Sequence, residues 1–188
     1  MHCLRPLVAL LPLLLPQLGR AQTPAPAPAV RYHIGDFDVA AKTVRITASV
    51  AVAAPAIEWF LPRWSPGYYK VENYAAELSA FTAHGADGKE LAVEQPAANR
   101  WRIDCAGARE IRLDYVLHCD RGSVTQNQIA AEYAVLCGPA TFVGIVGDST
   151  RPAELEIAPP EGWDVAVALP VAEGTSNGAA RHRAASYD

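Results

Sequence analysis

Residues 61–69, LPRWSPGYY, and the preceding residues 56–60, AIEWF, decide how the rest of the chain is interpreted. Ile57, Trp59 and Leu61 alternate with other side chains, which is the period of a half-buried β-strand. Pro62 has no backbone N–H group, so a strand ladder ends near it or lies at a sheet edge. The stretch therefore predicts a strand that runs into a rigid turn.

The turn itself is predicted from Ser65, Pro66 and Gly67. Proline presets its own φ near −65°, and glycine adopts a positive φ without steric cost. The flanking aromatic side chains combine large apolar faces with polar groups. Two interpretations remain open: a turn clamped by aromatic packing at the edge of a β core, or a rigid wall presented to a cleft or a neighbouring domain. We call this candidate surface the aromatic turn; its residues are Trp64, Ser65, Pro66, Gly67, Tyr68 and Tyr69.

The N-terminal residues resemble an export signal. Residues 1–21 contain an early arginine, an apolar run and small residues before a cleavage point after Ala21, which is typical of a signal peptide. The run is too short and too rich in proline for a membrane span. Residues 22–29, QTPAPAPA, predict an extended Pro/Ala linker. We therefore expect a secreted or periplasmic protein.

Alternating apolar residues recur along the chain from residue 30. The pattern is clearest at 43–52, and turn signals separate the segments at intervals of about ten residues. This spacing predicts an all-β fold, an antiparallel β-sandwich that occupies residues 30–180. The predicted strands are 31–39, 43–52, 56–61, 90–93, 99–104, 110–117, 141–146, 153–158 and 163–169.

Three parts of the chain give weaker signals. Residues 71–76 suit either one helical turn or the start of a strand, and residues 129–135 suit either a helix or a strand. Residues 120–128 are polar and contain glycine, which predicts a loop. Residues 181–188 contain no closing element, and we expect them to begin a downstream region of a larger, truncated protein.

The cysteines and charged residues give no strong site. The mature chain has Cys105, Cys119 and Cys137, an odd number, and Cys119–Cys137 is the disulfide that we favour. His118 has no second ligand at the spacing of a zinc site. A pair of carboxylates at Asp36 and Asp38 suits solvation better than calcium binding.

Motifs that carry catalysis are also missing from the sequence. It contains no His-Glu-x-x-His, no Gly-x-Ser-x-Gly and no glycine-rich phosphate loop. The net charge is −4, and no basic stripe indicates a nucleic-acid partner. We therefore predict no catalytic, cofactor-binding or metal-binding residue in this chain.

An ordered series of motifs resembles the N-terminal domain of the glycyl aminopeptidase family, metallopeptidase family sixty-one. These are secreted zinc metallopeptidases that usually also carry a PDZ domain. The resemblance covers roughly residues 30–188 and rests most on the Leu-Pro-x-Trp-x-Pro-Gly-x-Tyr core. The motifs are 61–69, Phe81-Thr82-Ala83, Asp87-Gly88, Trp101, Tyr115 and Pro160-Glu161-Gly162-Trp163.

This resemblance implies a supporting role in an aminopeptidase that removes small N-terminal residues such as glycine or alanine. The zinc ligands and catalytic glutamate would lie in a downstream thermolysin-like domain, so no catalytic residue is transferred to this chain. Its partner would be the catalytic domain of the same polypeptide, and peptide substrate would be contacted only indirectly. The alternative is a free-standing secreted β-sandwich that binds protein or carbohydrate.

Overall fold

The structure, a computed structural model, describes residues 28–172 and 180–187. The predicted signal peptide and nearly all of the predicted linker lie outside these residues. The described residues include a 3₁₀ helix (Tyr74–Glu77) and a short α-helix, α1 (Gly138–Thr141). Their strands are β1 (Val30–Asp38), β2 (Thr43–Ala51), β3 (Ala56–Phe60), β4 (Leu78–Gly85), β5 (Val93–Ala97), β6 (Arg100–Asp104), β7 (Glu110–His118), β8 (Gln128–Ile129), β9 (Ala134–Val135), β10 (Gly144–Ile145), β11 (Ala153–Ile157) and β12 (Arg181–Ala184).

The strands form an all-β sandwich, as the sequence predicted. One sheet has the order β12-β11-β1-β2-β7-β4, and the other has the order β10-β3-β6-β5. A separate hairpin consists of β8 and β9. The larger sheet is mixed because β1 and β11 run parallel, whereas its other neighbours are antiparallel.

The core lies between the two sheets and follows the predicted alternation. Every second residue of β2 and β7 is buried, and those strands pair along nine residues. In the smaller sheet, Trp59 of β3 lies opposite Trp101 of β6, and both are buried. Phe81 of β4 stacks on Trp101 with ring centroids 4.7 Å apart, which joins the sheets. Burying one large apolar side chain stabilises a fold by about 1.5–3 kcal/mol, so these rows dominate the stability.

The predicted strand at 163–169 is wrong. This segment is irregular, although Trp163 packs on Phe37 with ring centroids 6.3 Å apart. A strand needs a free sheet edge as well as alternating side chains, and β12 already pairs with β11. The edge of β12 is in turn covered by residues just after this segment, because Arg183 N–H donates to Pro170 O at 3.0 Å.

Residues 181–188 were predicted to begin a downstream region, but the structure places β12 at the edge of the larger sheet. Tyr187 then contacts the smaller sheet, since its ring packs on Phe60 with centroids 5.8 Å apart. Its backbone N–H also donates to Ser149 O at 2.9 Å. A strand of four residues is too short to be recognised by alternation, and only its pairing with β11 defines it.

The structure also decides the predictions for residues 129–135, 90–93 and 141–146. Residues 129–135 are extended at both ends, in the β8–β9 hairpin. The predicted return strand at 90–93 is mostly wrong, because Glu90 makes one isolated bridge to His84 and β5 belongs to the other sheet. The predicted strand at 141–146 shortens to the two residues of β10, because α1 extends to Thr141.

Four consecutive carbonyl groups at residues 140–143 are satisfied by side chains from distant parts of the chain. This segment comprises the last two residues of α1 and the two residues before β10, where no strand ladder pairs its carbonyl groups. Each donated hydrogen bond removes the cost of a buried, unpaired carbonyl. The bonds are Asn127 Nδ2 to Ala140 O (3.0 Å), Tyr115 OH to Thr141 O (2.8 Å), Tyr187 OH to Phe142 O (2.7 Å) and Tyr32 OH to Val143 O (2.6 Å).

The favoured Cys119–Cys137 disulfide is not formed in the structure, where Cys105, Cys119 and Cys137 are free thiols. A disulfide requires two Cβ atoms that face each other about 3.5–4.5 Å apart. The two thiols point instead at different carbonyl groups: Cys119 Sγ donates to Leu117 O at 3.7 Å, and Cys137 Sγ donates to Gln126 O at 3.5 Å.

We predict that Cys119 resists alkylation while the protein is folded. Burial, with smaller contributions from Asp120 and Glu77, raises the pKa of its thiol to about 12. The thiolate is the reactive form, so very little is present at pH 8. Iodoacetamide labelling followed by mass spectrometry should find Cys119 unmodified in buffer and modified in urea. Equal labelling in both conditions would contradict the buried position.

We predict that Gly144→Ala destabilises the domain by about 1–2 kcal/mol through overpacking. A Cβ atom at this position would lie 2.9 Å from both Phe60 Cε1 and Tyr187 Cζ, so the Tyr187 ring would have to move. Gly138→Ala is the matched control, because a Cβ atom there meets nothing within 4 Å. Urea unfolding of both variants is the measurement, and an equal cost would show that Tyr187 is not held against Gly144.

Candidate functional site

The aromatic turn begins at a fixed point where β3 ends. Leu61 is fully buried, and its N–H donates to Asn99 O at 3.0 Å. Asn99 Nδ2 returns a hydrogen bond of 2.8 Å to Leu61 O. This pair of hydrogen bonds holds the segment that leads into the turn against the chain that enters β6.

Within the turn, the backbone adopts the geometry that Pro66 and Gly67 predict. Tyr68 N–H donates to Ser65 O at 3.1 Å, and Gly67 has a φ of +81°. A positive φ at the third position, after proline, is the signature of a type II β-turn. The local sequence is therefore sufficient for this part of the site.

Two further contacts close the turn onto the domain. Glu72 N–H donates to Arg63 O at 2.6 Å, which joins the two ends of the segment. Ser65 Oγ and Tyr74 OH lie 2.8 Å apart in a hydrogen bond, and both residues are buried. The turn is thus anchored at its entry, its centre and its exit, and it presents a preorganised surface.

The aromatic side chains of the turn point mainly to solvent. Trp64 is 57% exposed, Tyr69 is 99% exposed, and Tyr68 is half-buried. Val71, just beyond the turn, is 65% exposed. Exposed tryptophan and tyrosine on an anchored backbone are typical of binding hot spots, in which these residues and arginine are enriched. The arrangement suits docking of another surface.

Tyr69 carries backbone strain, and we predict that Tyr69→Gly stabilises the domain by about 1 kcal/mol. Its φ is +53°, which glycine adopts freely, and its exposed side chain loses no packing when it is removed. The control Val71→Gly should instead lower stability, since Val71 is not among the residues with positive φ. Thermal unfolding measures both variants, and a destabilised Tyr69→Gly protein would mean that the tyrosine side chain supports the fold.

The polar residues that were considered for metal binding have protein partners. His118 Nε2 hydrogen-bonds Ser79 Oγ at 3.0 Å. Asp36 pairs with Arg45 at 3.4 Å, and Asp38 Oδ1 accepts the N–H of Ala41 at 2.8 Å. Across residues 28–172 and 180–187, no group of three His, Cys, Asp or Glu side chains converges into a metal site. This set of residues does not fit zinc, and we derive no zinc chemistry from it.

Sequence reasoning missed the second surface that borders the turn. Residues 120–128 were predicted only as a polar loop, yet Thr125, Gln126 and Asn127 are buried. Gln126 Nε2 donates to Glu72 Oε2 at 3.1 Å, directly behind the turn. Polar composition gives no signal for such burial, because it depends on partners far away in the sequence.

In residues 28–172 and 180–187, no helix has the length and hydropathy of a membrane-crossing segment.

Comparison with known proteins identifies one family and one well-matched fold. Residues 31–188 match the peptidase M61 N-terminal domain. No curated protein matches the chain. An aminopeptidase N family protein from Idiomarina loihiensis has a similar structure, with a TM-score of 0.77 and 22% identity over 84% of this chain.

That match spans 27% of the Idiomarina chain, and at this identity it shows a shared fold. An M1 zinc metallopeptidase from Deinococcus radiodurans gives a TM-score of 0.45 and 12% identity, covering 84% of this chain and 38% of that one. The fold assignment rests on the first of these two structures.

Proposed function

This chain belongs to the peptidase M61 N-terminal domain family, and from that premise we propose that it is the non-catalytic N-terminal β domain of a secreted zinc aminopeptidase. The observation that carries the proposal is the extent of the family match. It covers residues 31–188 and so includes the sandwich from β1 to β12. A match to a short motif would leave the role of the rest of the sandwich open.

In this proposal the domain supports the active site without reacting with substrate. The zinc ion and its ligands belong to the catalytic domain of the parent polypeptide. The anchored aromatic turn would pack against that domain and form one wall of the substrate cleft. Ligand sites occur preferentially at domain interfaces, where two rigid surfaces exclude water and shape the opening. A wall of this kind would admit short or extended peptides and would exclude bulkier substrates from the cleft.

We further propose that the parent enzyme removes small N-terminal residues such as glycine or alanine, and that this chain is a fragment of it. The domain's contribution would be steric, because a rigid wall beside the zinc site limits the size of the first side chain. Discrimination of this kind is worth about 1–3 kcal/mol per methylene group that fails to fit.

The first test is the coding sequence that follows codon 188. The proposal expects an open reading frame that contains His-Glu-x-x-His and a downstream glutamate. The parent protein should hydrolyse glycyl and alanyl anilides, lose activity with a zinc chelator and regain it with added zinc. The 188-residue chain alone should be inactive, and zinc-dependent hydrolysis by it would overturn the non-catalytic role.

A free-standing binding module is the competing function, and the exposure of Trp64 and Tyr69 is the observation that favours it. Exposed aromatic rings also stack on sugars and on partner proteins. A stop codon after residue 188, together with measurable binding of a glycan or protein to the isolated chain, would support this alternative. Zinc-dependent cleavage by a longer parent protein would exclude it.

A further inference from the structure

We propose that the surface of segment 124–135 completes the docking surface begun by the aromatic turn, and that both contact the catalytic domain of the same polypeptide. This inference rests on the proposed function and adds a second contact region that the sequence did not indicate. Its evidence is the way the two segments are joined, the exposure of their apolar side chains, and the charge between them.

A partly buried hydrogen bond joins segment 124–135 to the residue that closes the aromatic turn. Gln126 is 6% exposed, and its Nε2 donates to Glu72 Oε2 at 3.1 Å. Glu72 adjoins Val71 in sequence, and its backbone N–H closes the turn onto Arg63 O. Because the Glu72 side chain is only 13% exposed, this charge-assisted bond is partly shielded from water and fixes the position of one segment relative to the other.

Segment 124–135 is itself held at both ends. The Cys137 thiol shares its one hydrogen between Gln126 O at 3.5 Å and Val124 O at 3.6 Å, and Cys137 N–H donates to Asn127 Oδ1 at 2.8 Å. Ala130 N–H donates to Tyr133 O at 2.8 Å, which closes the β8–β9 hairpin. The apolar residues at Val124, Tyr133 and Val135 therefore lie on a braced backbone, as the aromatic turn does.

Exposed apolar residues concentrate on these two segments. The described residues include nine exposed large apolar side chains, and six of them lie in residues 63–71 and 124–135. A concentration of this kind marks an interaction surface, whereas isolated exposed apolar residues are ordinary. The six are Trp64, Tyr69, Val71, Val124, Tyr133 and Val135; the other three are Val146, Val165 and Val171.

The charge on this surface and the path of the chain favour a partner in the same polypeptide. Arg63 is exposed and forms no ion pair with another described residue, so it is available to a carboxylate on the partner. Tyr187 packs on Phe60, which lies at the end of the strand leading into the turn. A domain joined through the Tyr187 segment would start beside the surface, and a short link gives it an effective concentration near millimolar.

The experiment compares amide hydrogen exchange in the 188-residue chain and in the parent polypeptide. We expect exchange in both 63–71 and 124–135 to slow by at least about tenfold in the parent, because docking shields both segments. Slowing in 63–71 alone would overturn this inference and leave the proposed function intact. If both segments slow in a parent that lacks zinc-dependent cleavage, the docking surface stands and the proposed function fails. Protection that grows with concentration in the isolated chain would assign the surface to a second copy and overturn the inference.

Surface variants provide an independent readout. The triple change Val124→Ser, Tyr133→Ser and Val135→Ser should leave unfolding of the 188-residue chain nearly unchanged and abolish the protection of 63–71 in the parent. The matched control is Val165→Ser with Val171→Ser, which replaces exposed valines outside both segments; Val171 bridges to His182 of β12. Loss of protection in the control, or its retention in the triple variant, would contradict the proposal.

Discussion

Asn127→Ala is expected to lower the free energy of unfolding by about 3 kcal/mol, which is the largest stability effect that we predict for a single polar residue. Asn127 is buried and bonds three groups: Nδ2 donates to Ala140 O, while Oδ1 accepts from Cys137 N–H and Thr141 Oγ1. Alanine leaves the buried Ala140 O and the partly buried Cys137 N–H without these partners, and each orphaned group costs up to about 1–3 kcal/mol.

Urea unfolding of the 188-residue chain measures this effect, with Asn99→Ala as the matched control. Asn99 makes one side-chain hydrogen bond, to Leu61 O, at a half-buried position, so its loss should cost about 1 kcal/mol. If the two variants were equally stable, the bonds of Asn127 would contribute little beyond one ordinary hydrogen bond. Asn127→Asp should be no better than alanine, because a carboxylate does not donate to Ala140 O.

Trp64→Ala is expected to weaken interdomain docking in the parent protein by about 2 kcal/mol, roughly thirtyfold, while the isolated domain keeps its stability. An exposed tryptophan on an anchored turn is the residue type that contributes most at binding hot spots. Its side chain is 57% exposed, so its removal leaves no cavity in the sandwich. The measurements are kcat/KM on glycyl anilide in the parent protein and thermal unfolding of both the parent protein and the isolated domain.

Trp163→Ala gives the opposite pattern and serves as the control. Trp163 packs on Phe37 of β1 and is half-buried, so its loss should destabilise the domain without affecting docking. Unchanged kinetics together with unchanged melting in the Trp64→Ala parent protein would refute an interface role for the aromatic turn. A large loss of stability in the isolated domain would instead show that Trp64 supports the fold.

Most of the sandwich could be predicted because its strands alternate over many residues. The nine residues of β2 and of β7 place every second side chain in the core. A period of two residues is that of a β-strand, so the pattern predicts this type of secondary structure unambiguously. Prediction failed at 163–169, where alternation is present and no ladder forms. It also failed at β12, where four residues pair in a sheet that local pattern does not indicate. Pairing depends on which edges remain free once the rest of the chain has folded.

The candidate site also has one part that the local sequence predicts and another part that depends on residues distant in the sequence. Proline followed by glycine predicts the type II turn from local backbone preferences, and the structure has that turn. The attachment of the turn to the rest of the domain depends on the hydrogen bonds of Ser65 and Glu72 to Tyr74 and Gln126, which are not local in the turn sequence. The bordering segment 124–135 has no local signature, so its place beside the turn was not predicted.

The sequence by itself determined the β class, the positions of β1, β2 and β7, the turn at Pro66 and Gly67, and the family resemblance. The first three follow from alternation or backbone preference within about ten residues, whereas the family resemblance rests on an ordered series of motifs across residues 30–188. Only the tertiary structure decided the parallel pairing of β1 with β11, the burial of Asn127, and the joining of the turn to segment 124–135. These features depend on hydrogen-bond partners distant in the sequence, because a buried polar group must find a partner wherever the fold supplies one.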